Sequence, residues 1–242
     1  MKIKKYSIFA GALILNVSSF ANGQGEGPGE LANRLGLKVV NLADYRVTTA
    51  AKKTFSIKGD RCSSEVKTYV AGAEAGISTV IRKRFSGTNF CDHKVFHVKV
   101  DSKDRRLIIS RDNYNLNIDA NGDLITVLSS TDSINGTLVT DPGMIMVGAS
   151  WGSGTSLTNS VTPKPKTHIV EKRTLLEAGL TVTVTAGTFT NCVKIHHLRT
   201  SQVFGLFNRI TWRCPGVGVV KTMQHKLNTE SKTFVLTNIV YK

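Results

Sequence analysis

The sequence contains no apolar run long enough to cross a bilayer as a helix, which takes about 20 residues. Its clearest apolar run, residues 8–17, has roughly half that length. Three lysines precede this run, and Ser19 and Ala21 place small residues where a signal peptidase reads them. We therefore expect residues 1–21 to be a cleaved secretory signal peptide. The mature chain would then be periplasmic or secreted by a bacterium and would not span a membrane.

No cysteine lies near the predicted cleavage point, so no thiol is available there for lipid attachment, and no two cysteines have the C-x-x-C spacing of many zinc sites. Four cysteines remain, Cys62, Cys91, Cys192 and Cys214. An even number in an exported protein favours disulfides, although four cysteines allow three pairings. Cys62–Cys91 and Cys192–Cys214 each bracket an apparent hairpin. Each such bridge would contribute about 2–4 kcal/mol.

The sequence also lacks any run of five or more lysines or arginines, which argues against a specific nucleic-acid partner. Cleavage would leave 29 basic and 17 acidic residues, a net charge of +12. A basic exported protein attracts polyanions, which outside the cytoplasm are lipopolysaccharide, anionic lipid or extracellular DNA. Scattered lysines are equally typical of a solvated surface without a dedicated partner.

Helical periodicity is absent from the greater part of the mature chain. Apolar and polar residues instead alternate from about Val47 onward, most clearly in Leu180-Thr-Val-Thr-Val-Thr185, which is the period of a half-buried strand. Turn pairs such as Asn121-Gly122 and Asn135-Gly136 separate these runs. We therefore predict an all-β fold, a curved antiparallel sheet or open β-barrel. Similar alternation occurs at residues 54–58, 66–70, 77–85, 95–100, 106–110, 193–198, 210–214 and 233–241.

The domain organisation follows from the same patterns. Residues 22–46 are predicted to be a flexible, glycine-rich leader with one short helix at 30–37. Residues 47–242 are predicted to form a single β domain. Within it, residues 152–167 are rich in Gly, Ser, Thr and Pro and are predicted to be a long surface loop.

Motifs that would indicate catalysis or a cofactor are incomplete. Ser150-Trp-Gly-Ser-Gly154 lacks the first glycine of a nucleophile elbow. On a strand, His93 and His97 would stand about 13 Å apart, too far to share one metal ion. The predicted sites therefore include no catalytic, cofactor-binding or metal-binding residue. Trp151, Phe189 and Trp212 are candidates to line a ligand cavity, with ordinary core packing as the alternative.

Three segments together resemble one family. They are Gly148-Ala-Ser-Trp151, then Val182-Thr-Val-Thr-Ala-Gly-Thr-Phe189 leading into Cys192-Val-Lys-Ile195, then Thr211-Trp-Arg-Cys-Pro-Gly-Val-Gly-Val-Val-Lys221. Over residues 143–225 they are similar to uncharacterised bacterial periplasmic proteins with a domain of unknown function, some labelled TapB-like. That family usually has Tyr in place of Arg213 and often a small residue in place of Cys214.

The resemblance implies a curved antiparallel sheet or open barrel, similar to envelope proteins that hold apolar ligands. It implies no agreed activity and transfers no catalytic residue. It makes Cys192 and Cys214 look like a bridge that ties two motif strands together.

These observations favour an exported, non-enzymatic β-protein that binds an amphipathic or anionic envelope ligand such as lipid, lipopolysaccharide or another polyanion. Two alternatives remain open. One is a structural or adaptor protein with an envelope protein partner and no small ligand. The other is an unrecognised hydrolase acting on wall or lipid, which would need a cluster of perturbed acids or histidines in one cleft.

Overall fold

A computed structural model describes residues 36–72, 77–100, 106–118, 124–136, 139–161, 165–201, 205–226 and 229–242. The predicted signal peptide and most of the predicted short helix lie outside these residues. Within them, the regular structure is β apart from one 3-10 helix, Leu42–Tyr45. No helix in the described part is long and apolar enough to span a membrane. The strands are β1 Val39–Asn41, β2 Ala51–Lys58, β3 Ser64–Ala71, β4 Ile77–Ser86, β5 Asn89–Val100, β6 Arg106–Ile118, β7 Leu124–Gly136, β8 Val139–Asp141, β9 Met144–Met146, β10 Ser150–Asn159, β11 Pro165–Val184, β12 Gly187–Ser201, β13 Gly205–Cys214, β14 Gly218–Lys226 and β15 Thr229–Tyr241.

Thirteen of these strands form one sheet, in the order β5-β4-β3-β2-β15-β14-β13-β12-β11-β10-β7-β6-β8. Every pairing between its strands is antiparallel. Strand β5 also pairs with β6, so the sheet curls round until strands near its two ends meet. Strands β1 and β9 pair separately. The predicted all-β, curved antiparallel fold is confirmed.

Alternation along each strand decides which side chains face the interior of the curled sheet. In β2, Ala51, Phe55 and Ile57 are buried, whereas Lys52 and Lys58 are exposed. Successive side chains of a strand point to opposite faces, so one face of β2 belongs to the core. Strand β2 therefore presents one stripe of side chains to the interior.

One end of the interior, the packed end, is filled by apolar side chains. Val40 and Leu42 from the N-terminal segment contact Leu175, Val193 and Ile195, and these residues are almost completely buried. The N-terminal segment is held there by main-chain hydrogen bonds, including 2.9 Å from the Leu42 N–H to the Gly143 carbonyl oxygen. The prediction of a flexible leader over residues 22–46 is therefore wrong for Val39–Tyr45, because this short segment covers core residues that the sheet leaves open.

The predicted loop at 152–167 is also wrong. Strand β10 runs to Asn159 and β11 begins at Pro165, while residues 162–164 lie outside the described part. Both neighbours of β10 supply backbone partners, β7 on one side and β11 on the other. A β-carbon added to Gly152 would lie 3.0 Å from the Glu171 carbonyl oxygen, so the small residue permits a close strand approach.

The cysteines form one bridge and one pair of thiols. Cys192 and Cys214 are joined by a disulfide in the packed end, as predicted. Cys62 and Cys91 lie together near Ile57 and Phe234, but they are free thiols in the structure. Burial, followed by a hydrogen bond with the Cys91 thiol, raises the pKa of the Cys62 thiol to about 11. Cys62 and Cys91 are therefore neighbours in the fold, as their spacing in the sequence predicted, but the predicted disulfide between them is not formed.

Candidate functional site: a cationic cavity

The interior beyond the packed end holds a cavity of about 570 Å³. This volume lies within the range of roughly 300–1,000 Å³ that small-molecule sites occupy. Among the described residues its lining is strongly basic, with eight basic and three acidic side chains. The basic residues are Arg82, Arg84, Lys94, Arg111, Arg173, Arg199, Arg209 and Lys232, and the acidic ones are Asp60, Asp92 and Glu171.

Strand register explains how residues far apart in sequence meet in this cavity. Arg173 pairs with His197, His197 with Arg209, Arg209 with Gln224, and Gln224 with Lys232. Directly paired residues project from the same face of a sheet, so these five form one row across five strands. The row lies one inward position beyond apolar residues of the packed end, such as Ile195 in β12.

Five of the basic side chains are paired with acids. Arg82 donates two hydrogen bonds to Asp92, both 3.0 Å long. Arg111 donates to Asp132, and Arg173 donates to Glu171 over 2.9 Å. The remaining two pairs share Asp60, whose carboxylate lies 3.6 Å from Arg84 and 2.9 Å from Lys232.

Two of the acids in these pairs, Glu171 and Asp60, are held ionised. Burial by itself would raise the pKa of Glu171, but Arg173 and the neighbouring His197 and Arg209 hold it well below its usual range. Burial likewise opposes ionisation of Asp60, yet Lys232 lowers its pKa. Just beyond the cavity, Lys67 and Arg84 lower the pKa of buried Glu65 to about 2. A group with so low a pKa does not serve as a general acid near neutral pH.

Three basic side chains, Lys94, Arg199 and Arg209, have no carboxylate partner within the described residues. Burial lowers the pKa of Arg209 to about 10, and repulsion from Arg173 and Arg199 adds to this effect. Burial also lowers the pKa of Lys94 to about 8, with further repulsion from Arg111 and Arg82. Lys94 thus lies among Arg82 and Arg111, and Arg209 lies beside Arg173 and Arg199, with Glu171 as the acid that attracts the Arg199 and Arg209 side chains.

His197 lies behind this wall and is only 1% exposed. Burial, together with repulsion from Arg209, keeps its pKa well below the usual value, so the ring is neutral. Arg209 donates a 3.3 Å hydrogen bond to Nδ1 of His197. The alternation of β12 turns this side chain inward, although a histidine next to His196 carries no sign of this in the sequence.

Apolar side chains interrupt the charged lining. Phe207 lies between Arg199 and Arg209, whose guanidinium groups are 4.6 Å and 5.5 Å from the ring centre. Across the cavity, the Arg82 guanidinium lies 5.6 Å from the ring centre of Phe96. Such contacts fix the planes of the guanidinium groups. The cavity therefore offers both positive charge and aromatic surface.

The aromatic residues that the sequence suggested as cavity lining lie elsewhere. Trp151 packs against the cluster around Leu42, and Phe189 and Trp212 pack against the cluster around the Cys192–Cys214 bridge. None of the three is among the residues that line the cavity. Their placement agrees with the alternative of ordinary core packing.

The charged lining was missed at the level of sequence, although a signal for it exists. In β11, Ile169, Glu171, Arg173 and Leu175 share one face, and all four are buried. A stripe that begins and ends with core residues but contains charges between them indicates a polar interior. That signal can be recognised only when the ends of the strand are known.

No group of three or more His, Cys, Asp or Glu side chains that could hold a metal ion is found in the described part of the chain. His93 stacks on Tyr114, with ring centres 4.5 Å apart, and His97 contacts the Asp112 carboxylate over 2.8 Å. Each of these two histidines thus has its own partner on β6.

Comparison with known proteins gives little further guidance. No protein-family model matches the chain, so the resemblance suggested by the three motifs is not confirmed. No curated protein matches it either. The chain is similar to a protein from Bacteroides fragilis that is predicted to be exported and has a YmcC-like fold, at 13% identity and a TM-score of 0.38, over 78% of this chain and 95% of that one. It is also similar to a predicted lipoprotein from Parabacteroides distasonis, at 13% identity and a TM-score of 0.36, over 80% and 96% of the two chains. Similarity at this level transfers no function.

Proposed function

We propose that the protein is exported and binds an anionic, amphipathic ligand of the bacterial envelope inside the curled sheet. The observation that carries this proposal is the cavity of about 570 Å³ with eight basic and three acidic side chains in its lining. A cavity with excess positive charge attracts anions more strongly than a flat exposed patch does, because its low-dielectric walls reduce screening.

The amphipathic character of the ligand is inferred from the rest of the lining. Phe96, Ile108, Ile169, Leu206 and Phe207 line the same cavity as the cations. A ligand with a charged group and an apolar body would use both kinds of surface, as binding pockets commonly do. Lipids and lipopolysaccharide have this composition, whereas a simple polyanion would leave the apolar side chains without a role.

The pairing of the acidic side chains with basic ones favours binding over hydrolysis as the function of the cavity. Asp60, Asp92 and Glu171 are each bound to an arginine or lysine, and burial keeps His197 out of reach of a ligand in the cavity. Acid–base catalysis needs a group whose pKa lies near the working pH and that can touch the substrate. Asp60 and Glu171 do not meet the first condition, because the paired cations lower their pKa values, and His197 does not meet the second, because it is buried. Lys94 lines the cavity with a pKa that burial lowers to about 8, but no acid or histidine with a pKa near neutral accompanies it among the described lining residues.

Native mass spectrometry of the protein purified from its own envelope tests ligand binding. We expect an adduct on the wild type that is lost from Arg199→Gln/Arg209→Gln. The matched control is Lys172→Gln, whose exposed lysine lies between inward Glu171 and Arg173 on β11. It should keep the adduct. A bare wild-type mass, or equal loss in the control, would contradict the proposal.

Export is tested separately by producing the full chain and measuring its mass in each cell fraction. We expect a periplasmic or secreted species that begins at Asn22, since cleavage is predicted after Ala21. A cytoplasmic species that keeps residues 1–21 would overturn this part of the proposal.

A further inference from the structure

The geometry of the cavity points to a divalent oxyanion of the phosphate-monoester type as the charged group of the ligand, held by Lys94, Arg199 and Arg209. This inference rests on the proposed function, because it names the class of ligand for the same cavity. Lys94 belongs to β5, and Arg199 and Arg209 belong to β12 and β13. In strand order, β5 lies on the opposite side of the curled sheet from these two strands. An anion between them would therefore be held from both sides.

The number of uncompensated cations favours a divalent group. Every other basic residue of the lining forms an ion pair with a carboxylate, whereas no carboxylate of the described residues lies within ion-pair distance of these three. Glu171, already bound to Arg173, attracts Arg199 and Arg209 only from a greater distance. A charge taken from water without a partner is costly, and the cost falls when an opposite charge is bound. A monoanion would compensate one of the three charges, and a phosphate monoester would compensate about two.

The charged groups that surround Lys94 are mostly cations. Lys94 faces Arg82 and Arg84 from β4 and Arg111 from β6, and Asp92 on its own strand is the nearby acid. Asp92 is already engaged by Arg82 through both of its oxygens. An added anion would therefore be the first counter-charge committed to Lys94.

The shape of the arginine pair also suits a tetrahedral oxyanion. A guanidinium group presents its donors as a planar fork that matches phosphate oxygens. Phe207 lies against both guanidinium groups. The buried Nε of Arg209 has no hydrogen-bond partner within the described residues. The aromatic ring would also contact the part of the ligand next to its phosphate.

Two probes of nearly the same shape distinguish the effect of ligand charge on affinity from the effect of ligand size. Phenyl phosphate carries close to two negative charges at pH 7.5, since the second ionisation of a phosphate monoester falls near pH 6, whereas phenyl sulfate carries one. Calorimetric titration of the mature protein should show phenyl phosphate binding about tenfold more tightly, the effect of one additional charge-assisted hydrogen bond.

Binding of phenyl phosphate should also depend on pH in both directions. Affinity should rise as the probe loses its second proton, around pH 6. It should fall above about pH 8, where Lys94 loses its charge in the free protein. Lys94→Arg should keep the binding and remove the upper decline, because arginine stays protonated. Lys94→Met and Arg199→Gln should each weaken binding about tenfold, and Lys172→Met should leave it unchanged.

The outcomes separate this inference from the proposed function. Equal affinities for the two probes, both lost in Arg199→Gln/Arg209→Gln, would leave an anion-binding cavity but overturn the preference for a divalent group. Absence of binding by either probe, together with a bare native mass, would overturn both. A preference for phenyl phosphate that survives in Lys94→Met and Arg199→Gln would place the anion elsewhere and overturn the inference.

Discussion

The two ends of the interior differ in what their inward stripes contain. At the packed end, Leu175, Val193 and Ile195 are completely buried and contact one another. At the cavity end, the same strands β11 and β12 present Arg173, His197 and Arg199 at the next inward positions. The curled sheet is continuous across both ends. Burial therefore stabilises the fold at the packed end, whereas at the cavity end it brings positive charges close together.

The largest effect should come from opening a space in the packed end. Leu175→Ala should lower the free energy of unfolding by about 2–5 kcal/mol, because it removes buried methyl groups and leaves a void. Urea unfolding followed by circular dichroism measures the change. Val170→Ala, at a half-exposed position of the same strand, should stay within about 0.5 kcal/mol of wild type. Equal effects of the two substitutions would mean that burial at Leu175 adds no stability beyond that of an exposed position.

The two cysteine pairs provide a second comparison of the two ends, since one pair lies in the packed end and the other near Asp60 of the cavity lining. Reduction with dithiothreitol should lower the free energy of unfolding by about 2–4 kcal/mol, because it opens the Cys192–Cys214 bridge. Cys62→Ala/Cys91→Ala should lose just as much on reduction, and Cys192→Ala/Cys214→Ala should lose nothing. Reductant sensitivity that depends on Cys62 and Cys91 would show that those thiols had been joined.

Acidification should act through buried histidines. His197 has a folded-state pKa well below its unfolded value near 6.5, and burial lowers the pKa of His93 as well. Below about pH 6.5 the unfolded chain therefore binds more protons, and stability falls as the pH falls. His197→Gln should reduce this slope by up to about 1.4 kcal/mol per pH unit. Urea unfolding between about pH 5 and 7 tests this, and an unchanged slope would contradict it.

The smallest expected effect is a gain. Arg209→Met removes a buried cation from the cavity wall and should raise the free energy of unfolding by up to about 1 kcal/mol, because the cost of burying its charge and the repulsion from Arg173 and Arg199 outweigh its attraction to Glu171. Lys172→Met on the outer face should change it by less than about 0.5 kcal/mol. Arg209→Met should also weaken phenyl phosphate binding. A loss of stability comparable to that of Leu175→Ala would mean that the charged wall supports the fold.

Much of the fold could be predicted because alternation is a local property. The alternation at 180–185 reports on a few neighbouring residues, and strand formation depends on those neighbours. The turn predicted at Asn135-Gly136 is wrong, because both residues lie in β7 and pair with β10. The wrong predictions concern segments whose local composition does not reflect their structure. Gly152 and Gly154 suggested a loop, but close approach between β10 and β11 makes small residues suitable for a strand. Val39–Tyr45 carried too few residues to display a period.

The candidate site could not be predicted, because it depends on long-range register. Sequence by itself determined the all-β class, the antiparallel hairpins and the proximity of each cysteine pair, since these follow from side-chain period and short spacing. Only the tertiary structure decided that the sheet curls until β5 meets β6, and that Lys94 and Arg199, 105 positions apart, line one cavity. The basic residues form a site only because strands far apart in the sequence surround them. Pairing between those strands sets which rows of side chains face one another.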